Sequence, residues 1–227
     1  MLTHRLSALA LICTFAVAPA LARAGEDPPD VEVEDDSYIP NRFSLTFHGA
    51  WARFGEQDAI DNTWTAGARL GFRVSPWAEL QIGADYLKTG VEAEGAGGTG
   101  DVDIGSMRIV PVSLDLRIDI TNIDGTIPWP VPWIRPELIL GAGYANIRVK
   151  ESGSSTIDVR YRGGSWLARA GLGLAIGPRD ARVVFGVEAI YNWINNDLDI
   201  EDNLAGKYHG RIDLDYWTLG VFVGFRF

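Results

Sequence analysis

From Arg42 onward the hydrophobic positions recur every second residue. Phe43, Leu45, Phe47 and Trp51 form the first set, and the even positions 64–74 (Trp64 to Val74) the second. Even positions then carry it through 78–86, 110–120, 134–144 and 166–176, and odd positions through 183–193 and 217–227. A period of two sends alternate side chains to opposite faces of a strand. The pattern predicts eight strands of roughly ten residues, the length that crosses a bilayer at a tilt. The connections alternate as well. Short turns fall at 75–76 and 177–180, with a longer one at 121–132; polar loops fall at 55–62, 89–105, 146–164 and 194–213. Short turns on one side and long loops on the other are the habit of membrane barrels.

Volume decides which face looks outward. The lumen of an eight-stranded barrel is just wide enough to be filled by side chains. The recurring apolar sets hold Trp, Phe, Tyr and Leu, whereas the opposite sets are mostly small, with Ser44, Gly67, Gly83, Gly141, Gly171, Gly186 and Gly224 among them. The bulky set must therefore lie outside, and an exterior of Trp and Leu is a surface for lipid. Aromatics mark the strand ends, with Trp51, Trp64, Tyr86, Tyr144, Trp166, Tyr191, Trp193 and Trp217 toward the long loops. Phe43, Phe72, Trp77, Trp133, Phe225 and Phe227 lie toward the short turns, as two interfacial belts require.

The inner set also carries ions. Folding the strands symmetrically about their turns predicts Arg169 across from Glu188, Arg73 across from Glu79, Asp119 across from Arg135 and Arg117 across from Glu137. Directly opposed side chains interact. The expectation is a polar plug of Arg69, Gln81, Asp115, Arg169 and Glu188, without a continuous water channel and without a hydrophobic lumen.

Charge and composition remove several functions. A net charge of -10 argues against nucleic acid as a partner. His4 and Arg5, an apolar run over 6–17 and Ala22-Arg23-Ala24 read as a cleaved signal peptide, residues 1–24. The one cysteine, Cys13, lies inside it, so disulfide and thiolate chemistry are not expected in the mature chain. Residues 25–40 are acidic and proline-bearing and read as a disordered periplasmic tail. The barrel takes 41–227.

Candidate chemistry is sparse. His48 is expected in the lumen, and His209 lies in the last outer loop with no serine close in sequence to serve as nucleophile. The stretch 195–203 is dense in oxygen ligands but lacks the central Gly and terminal Glu of an EF-hand. A solvated acidic loop is the plainer reading, with a weak divalent site bridging to lipopolysaccharide phosphates as the alternative. Ile147-Arg148-Val149-Lys150 with 157–161 is expected to protrude as a hairpin open to strand addition. No catalytic, cofactor or metal residues are assigned, and the chain is not expected to be an enzyme.

The final stretch, 216–227, alternates Trp217, Leu219, Val221, Val223, Phe225 and Phe227 against Thr218, Gly220, Gly224 and Arg226, with Phe222 as the one large apolar residue of the second face. Its terminal aromatic alternation resembles the assembly signal of bacterial outer-membrane barrels. With the signal peptide and eight alternating strands, the chain resembles the small outer-membrane barrel superfamily typified by the OmpA membrane domain, OmpX and OmpW. The resemblance implies an all-β, eight-stranded antiparallel up-and-down transmembrane barrel in the outer membrane. It further implies a lipid bilayer and lipopolysaccharide as surroundings, and insertion by the barrel-assembly machinery through Phe227. The expected role is non-enzymatic, structural or adhesive through the outer loops, with a partner on the cell surface. A narrow pore or small-molecule conduit is the alternative, and a lipid-modifying enzyme the third reading.

Overall fold

The computed structural model describes residues 41–55, 60–94, 101–122, 131, 133–151, 162–178, 181–195, 197–200 and 210–227. The expected signal peptide and acidic tail, residues 1–40, lie outside the described residues. Eight long strands are β1 (Phe43–Phe54), β2 (Thr63–Ser75), β3 (Ala78–Glu94), β4 (Asp101–Asp119), β5 (Ile134–Glu151), β6 (Arg162–Ile176), β7 (Val183–Ile194) and, after two short ones, β10 (Tyr216–Arg226). They close antiparallel into one barrel, each pairing with its sequence neighbour and β1 with β10. Among the described residues the short strands, β8 (Asp197–Ile200) and β9 (Gly210–Asp213), pair only with each other. The expected acidic loop thus begins as a strand, with Asp199 opposite Arg211. Residues 201–209, including His209, lie outside the described residues.

Closure is seamless at the last residue. Phe227 N–H donates to Phe43 C=O and Phe43 N–H to Phe227 C=O, both at 3.0 Å. The stagger follows from the register. Stepping across partners from Phe43 through Phe72, Leu80, Leu116, Leu140, Ala170, Tyr191 and Trp217 returns to β1 at Arg53, ten residues above the start. A row of partners therefore climbs from the end with the short turns toward the end with the long loops. Strand tilt and stagger of this kind are what a closed sheet requires.

The lipid-facing prediction holds. Trp64, Trp166, Leu219, Phe185, Leu70 and Val221 are each more than half exposed, on the outer face. At one end Trp51 meets Trp64 edge-on at 5.2 Å between ring centroids, Tyr144 meets Trp166 at 6.1 Å, and Tyr191 meets Trp193 and Trp217 at 4.6 Å each. At the other end Phe43 packs on Phe72 and Phe227. Phe43 and Trp51 are eight residues apart on β1, about 26 Å along the strand and about 20 Å along the axis at a tilt near 40°. The two girdles bound an apolar belt of bilayer dimensions. Three strands run well past it: β3, β4 and β5 have 17, 19 and 18 residues, where ten were expected.

Two predicted registers are corrected. Ile176 lies opposite Phe185 instead of Ala181, so the β6–β7 turn is four residues longer than the symmetric fold supposed. Arg169 consequently faces Asn192, and Glu188 faces Gly173. Between β4 and β5, Asp119 faces Glu137 and Arg117 faces Ile139, a slip of two. Asp119 instead caps the turn beyond β4, its Oδ1 accepting from the Thr121 backbone N–H at 3.0 Å. Only Arg73 opposite Glu79 stands as predicted, across the tight turn at Pro76. Both slips are even numbers, so every side chain stays on its predicted face.

Candidate functional site

The lumen is where charged side chains converge. Its lower half, toward the short turns, holds one continuous ionic network. Arg69 on β2 donates from both terminal nitrogens to Glu188 on β7, at 2.9 and 2.8 Å, a bidentate pair. Glu188 also lies 3.3 Å from Nη2 of Arg117 on β4, which pairs with Glu137 on β5 at 3.0 Å. Arg169 on β6 reaches Ser113 Oγ at 2.6 Å, Asp115 at 3.2 Å and Asp85 on β3 at 3.3 Å. His48 Nε2 on β1 lies 2.7 Å from Asp85. Phe222 of β10 completes the ring, with the Arg117 guanidinium 4.6 Å above its face. Every barrel strand contributes.

Apart from Arg117 with Glu137, which joins adjacent β4 and β5, these pairs reach past the neighbouring strand. The cross-strand neighbours of the ions include glycines: Gly83 for Arg69, Gly141 for Asp115 and for Arg169, Gly67 for His48 and Asp85, Gly173 and Gly220 for Glu188. A Cβ at Gly141 would sit 2.0 Å from Asp115 Oδ1, and one at Gly83 2.5 Å from Arg69 Cγ. The glycines leave room for long polar side chains to lie flat and reach across the axis.

Four of the five predicted plug residues, Arg69, Asp115, Arg169 and Glu188, belong to the network and are at most 4 % exposed. Gln81 lies beside it, donating to Glu79 at 2.7 Å; Glu79 also accepts from Ser44. Beneath, a cavity of about 20 Å³ borders Gln81, Arg117, Glu137 and Arg226, room for about one water.

The upper half corrects the expectation of a polar lumen. Most inward positions above His48 and Asp85 are apolar: Phe54, Leu87, Met107, Ile109, Ile147, Leu167 and Tyr216 are buried in one cluster, with Thr89, Ser165 and Asn192 as buried polar members of the same half. Ile60, from the loop between β1 and β2, folds over it by a single bridge to Val91. The signal was present in the sequence: inward positions turn apolar where strands continue past the girdle. Reading the sets as uniform along each strand hides it.

One ladder is interrupted beside this boundary. The β3–β4 pairing runs from Ala78 opposite Ile118 to Ala84 opposite Val112, then resumes at Leu87 opposite Ile109. Pro111 lies in the gap and has no N–H to donate.

Of the two histidines, His48 is in the lumen as expected, against a carboxylate. His209 is outside the described residues, as are the side chains of 196–203, so the acidic stretch gains no geometry. Ile147–Lys150 continues β5, with Arg148 opposite Arg162; residues 152–161 are outside the described set.

No family model matches this sequence, and no curated protein matches it. Solved structures do match its fold. The outer membrane protein OprG from Pseudomonas aeruginosa aligns with a TM-score of 0.63 at 15% identity, covering 83% of this chain and 97% of that one. Neisserial surface protein A aligns at 0.51 with 14% identity, covering 82% and 97%. At such identities the likeness establishes architecture. Closed eight-stranded topology, two aromatic girdles and the lipid-type belt between them agree with it, and the chain has the fold of the small outer-membrane β-barrels.

Proposed function

We propose that this protein is a non-enzymatic outer-membrane barrel with a closed lumen, whose working surface is the part that extends beyond the outer girdle. The observation that carries this reading is the double closure of the axis. An ionic layer takes charged side chains from seven strands and Phe222 from the eighth, and a largely apolar plug of buried side chains lies above it. Solutes have no wide path between them. Residues 1–24 direct export and are removed, and 25–40 remain as a periplasmic tail. Terminal Phe227 serves recognition by the assembly machinery.

Conductance in planar bilayers tests the closure. The expected result is no unitary steps above membrane leak. Ohmic steps whose ion selectivity changes with Glu188→Lys would replace this reading with a narrow pore.

A second reading, a conduit for small apolar molecules, is favoured by one feature. The upper lumen is apolar, and the β3–β4 ladder is interrupted beside it at Pro111. Faster entry of a small apolar fluorophore into vesicles containing the protein, with no ionic conductance, would select that reading. For the enzymatic reading, lipid A from cells with and without the protein is compared by mass spectrometry. An unchanged spectrum is expected.

A further inference from the structure

The outer halves of β3, β4 and β5 carry a row of cations on the lipid side of the sheet. Lys88 lies directly opposite Arg108, and Arg108 directly opposite Arg148; the next partner in the same row is Arg162. Lys88, Arg108 and Arg148 are all exposed, as is Lys150 two residues beyond. The acids of these strands among the described side chains, Glu79, Asp85, Asp115, Asp119 and Glu137, are all on the inward set. Among the described side chains this face is basic apart from Asp61 at its edge, on a chain with a net charge of -10.

Like charges set directly across a sheet repel, with Cβ atoms about 4.5–5.5 Å apart. Three in succession is an arrangement that an anion between them relieves. One carboxylate comes near the row's lower end: Asp61, from the loop before β2, lies over Gly90, two residues from Lys88. Arg108 and Arg148 lie one and two strands farther on.

Height in the membrane identifies the anion. The row begins on β1 and β2 at the girdle itself, since Trp51 pairs with Trp64, and the barrel's stagger lifts each later member. Lys88 is two residues above girdle residue Tyr86, and Arg148 four above Tyr144, about 7 and about 13 Å along their strands. Phosphates of an outer-leaflet lipid lie at that level, just outside the hydrocarbon. Arginine matches phosphate with two parallel donors, and its charge persists there.

We propose that Arg108 and Arg148, with Lys88 and Lys150 at the edges, form a binding site for the phosphate groups of a phosphorylated glycolipid in the outer leaflet. This rests on the outer-membrane reading above and names the residues through which the barrel would engage its lipid.

The test is native mass spectrometry of the refolded barrel in detergent micelles, titrated with bisphosphorylated lipid A. A bound lipid is expected, with affinity falling roughly thirtyfold in the Arg108→Gln/Arg148→Gln double variant. Arg182→Gln, an exposed arginine near the opposite end of the barrel, should leave affinity unchanged. Dephosphorylated lipid A should bind like the double variant. Equal binding of the phosphorylated and dephosphorylated lipids, or an unaffected double variant, overturns the site. Competition by soluble pyrophosphate at the lipid's own affinity overturns the lipid assignment. Heat-modifiable gel migration is measured on every variant. Its loss in the parent protein would break the barrel reading itself, whereas its retention with no lipid preference sinks only this site.

Discussion

The two halves of the lumen solve the same filling problem with opposite chemistry. Below the level of His48, guanidiniums and carboxylates span the axis over inward glycines. Above it, Leu87, Met107, Ile109 and Ile147 meet without a polar atom among their side chains. A buried ion pair gains little over an apolar substitute of the same volume, but breaking one is costly. The apolar half depends on shape alone and tolerates gradual change. The lower layer therefore ties specific strands together, because Arg69 on β2 and Glu188 on β7 meet in one register only. The upper layer seals.

That contrast can be broken most forcefully at Glu188. Glu188→Leu leaves Arg69 without its bidentate partner and Arg117 with only Glu137, and should cost about 3–5 kcal/mol. Urea unfolding from lipid vesicles, followed by tryptophan fluorescence, reads it. Adding Arg69→Met should restore a large part of the loss; a double variant as unstable as the single would refute the ionic account. In the apolar half, Met107→Ala should cost about 2–5 kcal/mol in the same assay. Its loss should not depend on salt, and no second substitution of a charge should rescue it.

A subtler probe lies at the foot of the lower half, below Glu188. Gly186 faces Phe222 across β7 and β10, and a Cβ there would lie 2.3 Å from the ring. Gly186→Ala should destabilise by about 1–3 kcal/mol through overpacking, with Phe222→Leu in the same chain relieving it. The smallest effect is expected from Ile109→Val, about 0.5–1.5 kcal/mol, the cost of one methylene in a packed seal. If Ile109→Val equalled Glu188→Leu, the distinction between the halves would disappear.

Much of this was legible in the chain. The strict period of two from Phe43 to Phe227 fixed strand number, face and membrane direction, because a one-residue slip would turn every Trp and Leu into the lumen. The girdle aromatics followed from their places at strand ends. What remained hidden was the register, since it depends on turn length. The β6–β7 turn took four more residues than the symmetric fold allowed, and Arg169 moved from Glu188 to Asp115 and Asp85. Opposite charges were sought on adjacent strands; Arg73 opposite Glu79 and Arg117 with Glu137 meet there, whereas Arg69, Arg169 and Glu188 have glycines among their neighbours and find partners across the axis. Alternation is a local property, carried by each strand alone and visible in the sequence. Which ion meets which, and where the lumen turns from charged to greasy, depends on strands brought together around a closed sheet with a ten-residue stagger. Only closure sets those distances.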